Sequence, residues 1–228
     1  MRRCILPMLA LTAGIGLLAP VAPAAPALAE LDRADTASGY LARLLINETS
    51  FPGERAYVSE TDSKNAMLAI LYVLHSRIQN IPQGYRQEHI AGVRSTNITD
   101  VITGGGGKRQ CEGFYRNAAG RFVTAPRVEE RVNNLLSIAN RGSKPGRFSR
   151  LLNYAQGLAR AYVKDSIAGA DRFAGLKRVG PVEVTGRAYS WMTDTGSYHP
   201  GGNFVAIPTT DDGSLAGNRF FTLRKVPK

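Results

Sequence analysis

Cysteine is nearly absent from this sequence. Of the two present, Cys4 lies in a charged N-terminal stretch and only Cys111 remains beyond it. No intramolecular disulfide can then staple the mature chain, and the fold must rest on its core. Histidine is almost as scarce. His75, His89 and His199 are the three, and none is spaced with another as zinc ligands are, so neither a metal nor another cofactor is expected. Ser190 and His199 lack the GxSxG elbow of a serine hydrolase. The run Gly104 to Gly107, followed by Lys108 and Arg109, lacks the GxxxxGK[ST] order of a phosphate-cradling loop and reads as a flexible loop. Neither an internal repeat nor a dividing linker is visible, which leaves one domain.

Acidic residues are few, 18 against 29 lysines and arginines. Arg2 and Arg3 precede an apolar run from Ile5 to Leu18 and the small-residue site Ala27-Leu28-Ala29. This pattern is that of a secretory signal over residues 1–29, too short and wrongly flanked for a membrane anchor. The domain is then expected to span 30–228, exported to the periplasm or cell envelope or else secreted, with no integral membrane segment. Without Arg2 and Arg3 it carries 27 basic and 18 acidic side chains, a net charge of +9. Outside the cytoplasm such a charge favours anionic polymers or surfaces over nucleic acid.

Of the 228 residues, 43% are hydrophobic, enough for a substantial core. Asp32 to Asn47 reads as a first helix starting near Asp32 or Asp35. Ser63 to Ile78 reads as the most apolar helix and so the centre of the core, capped by Asp62 or Ser63. Residues 84–126 carry little periodicity. Amphipathic helices follow at 127–141 and 148–164. After Gly169 come short β-rich pieces at 182–184, 204–207 and 220–223, with Asp211-Asp212-Gly213 as a turn. The expectation is an α+β, mainly helical fold with a small β-rich C-terminal part.

The first helix carries the most informative residue. Ala37, Leu41, Leu44 and Glu48 recur at i, i+4, i+7 and i+11, so a helix aims Glu48 the same way as its buried residues. Thr49, Ser50, Pro52 and Gly53 end the helix there. An acid half in the core and half in a cleft has its pKa raised and keeps a proton to donate. The alternative is an ordinary surface glutamate in a loop. Tyr189, Trp191 and Tyr198 form an aromatic cluster whose ring faces suit sugar rings, or else core packing.

Several pieces in order carry a family resemblance: Ile46-Asn47-Glu48 at a helix end, the apolar helix Met67 to Arg77, Arg109-Gln110-Cys111-Glu112, Leu158-Ala159-Arg160-Ala161, and the terminal Gly217-Asn218-Arg219-Phe220-Phe221. This order resembles the cell wall hydrolases of the spore-cortex-lytic type. The resemblance implies a lysozyme-like single domain, a monomer without cofactor, that cleaves peptidoglycan glycan strands between N-acetylmuramic acid and N-acetylglucosamine. It places the catalytic acid on Glu48 and a substrate contact on Gln110. The family's compact Gly-Glu-Ala-x-Gly-Glu is here Asn47-Glu48-Thr49-Ser50, and the next glutamate is Glu54, which leaves Glu60 as a rival for the catalytic position. A second carboxylate from Glu54, Glu60 or Asp62 implies an N-acetylmuramidase. Glu48 acting alone implies a lytic transglycosylase, the route favoured here. A wall-binding protein without catalysis, and a basic effector directed at a membrane or anionic protein, are the readings from other classes.

Overall fold

A computed structural model describes residues 29–104, 111–142, 144–167, 169–193 and 200–226. The leader, the Gly105 to Gln110 segment and the Tyr198–His199 pair lie outside the described residues. The fold is α+β and mainly helical, with a β-rich C-terminal part.

Helix α1, Ala37–Asn47, begins later than the acidic residues before it suggest. Thr36 is its N-cap, the hydroxyl accepting from the Gly39 N–H at 3.1 Å. The preceding turn folds so closely over this first turn that a Cβ on Gly39 would sit 2.0 Å from the Arg33 carbonyl oxygen. Asp32 has a different task. Its carboxylate takes hydrogen bonds from Arg160, Ser38 and Gln156, with Arg160 the chief cause of a pKa lowered to about 2.

Helix α2, Glu60–Gln79, starts one turn earlier than its apolar pattern. Ser59 caps it by accepting from the Asp62 N–H at 3.0 Å, and Glu60 and Asp62 sit favourably at the positive end of the helix. Residues 84–126 are less irregular than expected. They hold α3 (Gln87–Ala91), α4 (Ile98–Thr103) and a hairpin of β1 (Phe114–Arg116) with β2 (Phe122–Thr124). Elements this short contain too few residues for a period to show. Helices α5 (Pro126–Ala139) and α6 (Arg147–Val163) lie where the amphipathic stripes place them.

The C-terminal sheet is antiparallel, in the order β3 (Leu176–Val179), β4 (Val182–Thr193), β7 (Asn218–Arg224), β5 (Phe204–Ala206), and β6 (Ser214–Leu215) also pairs with β7. The turn at Asp211–Asp212 is a short 3-10 segment ended by Asp212 in the left-handed region, φ 59°.

The centre of the core is α1 rather than α2. Every residue from Gly39 to Ile46 is buried, so α1 is enclosed on all sides. Helix α2 buries Ala66, Met67, Ile70, Leu71, Val73 and Leu74 but leaves Lys64, Asn65, Leu68 and Tyr72 partly in solvent. Among the described residues no helix is long and apolar enough to cross a membrane.

Candidate active site

Glu48 is the C-cap of α1. Helix ends leave carbonyls without partners, and here a distant arginine supplies them. Arg131 of α5 donates from Nη1 to the Ile46 carbonyl and from Nη2 to the Thr49 carbonyl at 3.0 Å. It also grips the Glu54 carboxylate, at 2.7 and 2.8 Å to the two oxygens. The Glu54 carboxylate in turn accepts from the Phe51 N–H at 2.8 Å. The turn after Glu48 is thereby fixed to α5.

On the other side the β6–β7 turn closes in. Asn218 Nδ2 donates to the Glu48 carbonyl, the Ser50 hydroxyl donates to the Ala216 carbonyl at 2.9 Å, and the Ala216 N–H donates to Asp62 at 2.7 Å. Gly217 makes this approach possible: its φ is +82°, and a Cβ there would lie 2.6 Å from Ala56 Cβ. The Gly217-Asn218 pair thus anchors the Glu48 backbone, a role that periodicity does not reveal.

The Glu48 side chain is half-buried. Oε2 accepts from the Trp191 indole N–H at 3.2 Å and Oε1 from Asn47 Nδ2 at 3.1 Å. Burial raises the pKa of the carboxyl; the hydrogen bonds from Trp191 and Asn47 and the charges of Arg131 and Arg127 oppose that without cancelling it. Behind the indole lies Arg77, fully enclosed, its guanidinium 5.4 Å from the Trp191 ring centroid and its Nε donating to the Tyr189 carbonyl at 2.7 Å. Burial brings the Arg77 pKa down to about 10. Cys111 belongs to the same neighbourhood: burial pushes its thiol up, the Glu48 charge adds to that, and Arg77 opposes it.

Glu60 is held quite differently. Arg150 donates to it at 2.8 Å and Lys64 at 2.7 Å. The Arg150 hydrogen bonds are the main cause of a pKa lowered to about 2, so Glu60 is ionised throughout the neutral range. It has no proton to donate there.

Tyr189 does not line a cleft, contrary to the reading of its ring as a sugar platform. It is 1% exposed, packs with Ile90 and Leu223, and donates its hydroxyl to the Asn80 carbonyl at 2.7 Å. The register of β4 against β7 shifts between Ala188 and Ser190, and this bulge breaks the alternation. Trp191 therefore joins the main core cluster while Tyr189 joins a separate small one. Trp191 itself is 8% exposed, so it serves Glu48 through its N–H rather than offering an open ring face. Gln110 lies outside the described residues, next in sequence to Cys111.

A shallow cleft of about 350 Å³ is lined by Glu54, Arg127, Glu130, Arg131, Asn134 and Leu135; Glu48 is not part of its lining, and Arg131 links the two by its bonds to the Ile46 and Thr49 carbonyls. Its arginines are the two whose charges act on Glu48. A larger groove, about 1010 Å³, lies elsewhere, around the β3–β4 hairpin. No protein-family model, no curated protein and no solved structure matches this chain.

Proposed function

We propose that this chain cleaves peptidoglycan glycan strands between N-acetylmuramic acid and N-acetylglucosamine, as a lysozyme-like lytic transglycosylase with Glu48 as its acid and base. The observation that carries this reading is the Glu48 carboxyl: half-buried at a helix end, raised in pKa by its surroundings, and oriented by the Trp191 N–H. A carboxyl in that state can protonate the departing glycosidic oxygen. The C–O bond breaks, and positive charge develops at the anomeric carbon of the muramic acid. The 6-hydroxyl of the same sugar then closes on that carbon, and the Glu48 carboxylate takes up its proton, returning to the starting form.

The lytic route is favoured over hydrolysis by the state of the neighbouring acids. A hydrolase needs a second carboxylate free to activate water or attack the sugar. Glu60 is tied to Arg150 and Lys64, Glu54 to Arg131 and the Phe51 N–H, and Asp62 to the Ala216 N–H. Each of them has a structural partner already. A net charge of +11 over the full sequence, or +9 over residues 30–228, also suits an anionic envelope polymer.

Mass spectrometry of purified peptidoglycan after incubation tests the proposal. Anhydro-muramic ends, lost with Glu48→Gln, are the expected result. Reducing ends would replace the lytic route by hydrolysis. Sacculi bound but left intact would replace the enzyme by a wall-binding protein.

A further inference from the structure

The β3–β4 hairpin forms a second site well away from Glu48. Val184 and Thr185 together oppose Lys177, a bulge in the pairing, and Gly186 follows with φ +90°. The hairpin curls in consequence, and with Pro82, Gln83, Lys225 and Val226 it encloses the groove of about 1010 Å³, at the upper end of the range for ligand pockets. From Trp191 to Val184 is seven residues along β4, roughly 20 Å at ~3.3 Å per residue.

The groove has an apolar floor and a cationic rim. Leu176 and Val184 are largely buried in its base, and Val226 is 39% exposed at its edge. Lys177, Arg178 and Lys225 also line it, all three exposed. Glu183 is the single acid, shared between Arg178 at 3.9 Å and Lys225 at 3.6 Å. Lys177 has no acidic partner among the described residues. An excess of two positive charges around a small apolar base matches a short chain that alternates carboxylates with methyl-sized side chains.

We infer that this groove binds the acidic peptide stems of peptidoglycan, its cations taking the free carboxylates and its floor the alanine methyls. The natural source of the peptide rests on the function proposed above; the carboxylate chemistry rests on the groove alone. The substrate is then wall that still carries its peptides, held at two places, by glycan at Glu48 and by peptide at the hairpin.

Fluorescence anisotropy with a labelled stem tetrapeptide, Ala-γ-D-Glu-diaminopimelate-D-Ala, tests this on the full-length mature protein. Binding is expected to weaken about tenfold when the peptide carboxylates are amidated, and as much in a double variant Lys177→Glu with Lys225→Glu, since charge-assisted contacts supply the recognition. Raising the salt should weaken it as well. Both lysines are exposed, so circular dichroism of the variant should match wild type. On glycan chains stripped of peptide the double variant should cleave as wild type does. Equal affinity for acidic and amidated peptide, wild-type affinity in the double variant, or no binding of the peptide would each overturn the inference. Charge-dependent peptide binding by a protein that cuts no glycan would sink the catalytic proposal and leave the groove assignment standing.

Discussion

The indole Nε1 of Trp191 donates to Oε2 of Glu48 at 3.2 Å, joining residues 143 positions apart in the chain. A strand end thereby meets a helix end. The bond favours the ionised carboxylate, whereas the surrounding protein disfavours it, and burial is the larger of the two effects. Glu48 is thus held in a fixed orientation while its pKa stays above the ordinary carboxylate value. Burial sets the direction of the shift, and the indole bond both orients the carboxyl and moderates that shift.

Glu48 should make folding stability fall with rising pH. Its folded pKa lies above the ordinary 4.5, so the folded state binds the extra proton. The contribution is fully present below about pH 4.5 and is lost as pH rises through the folded value. Glu48→Gln has no such titration. Urea midpoints measured from pH 4 to 8 should show the variant gaining on wild type as pH rises; parallel curves would mean that the carboxyl is not raised.

Glu60 should behave with the opposite sign. Its pKa is lowered to about 2 from an ordinary 4.5, so its ion pairs stabilise the fold above pH 4.5 and are lost as pH falls towards 2. Arg150 is half in solvent, so screening keeps the contribution to ~1 kcal/mol. Glu60→Gln should cost about that much at pH 7, less at pH 2.5, and leave glycan cleavage near wild type. A variant that folds normally but is inactive would move the catalytic role to Glu60.

The placing of Glu48 was legible because helical period extends to it: the stripe Ala37, Leu41, Leu44 already points one way. Its partners were not legible. Trp191, Asn218 and Arg131 come from a strand, a strand start and the polar face of α5, and only tertiary packing brings them to the end of α1. The terminal Gly217-Asn218 pair was visible as a motif, yet nothing local told that its amide would hold the Glu48 carbonyl. Tyr189 illustrates a different limit. Alternation puts it on the face of Trp191, and one bulge between them moves it to another cluster. The start of α1 went to Thr36 because hydroxyl capping, rather than negative charge, fixed the first turn, leaving Asp32 free to pair with Arg160.

Helix α1 should be the element least tolerant of truncation. Leu44 is fully buried in a helix enclosed on every side, so Leu44→Ala leaves a cavity that neighbours cannot readily fill. The expected cost is ~2–5 kcal/mol, read as a lower denaturant midpoint with an unchanged slope. The same change at Leu68 on α2, which is partly in solvent, should cost clearly less. Equal losses would remove α1 from the centre of the core.

Trp191→Phe removes a bond that acts on Glu48 twice, on its orientation and on its acidity. Phenylalanine keeps most of the apolar bulk but has no N–H, so Glu48 Oε2 loses the bond that favours its ionised form. Burial then acts with less opposition, and the Glu48 pKa should rise further above its ordinary value. On the proposed mechanism the descending alkaline limb of the pH–rate profile reports the acid, so it should move to higher pH in the variant. The maximal rate should fall at the same time, by roughly tenfold or more, because a carboxyl no longer aimed at the glycosidic oxygen spends less time in productive geometry. The two effects together distinguish the hydrogen bond from mere packing: a Trp191 that only filled space would lower stability while leaving the alkaline limb in place. A limb displaced to lower pH would show that the indole had been holding the proton on Glu48 rather than favouring its loss, and the account of this site would have to be reversed.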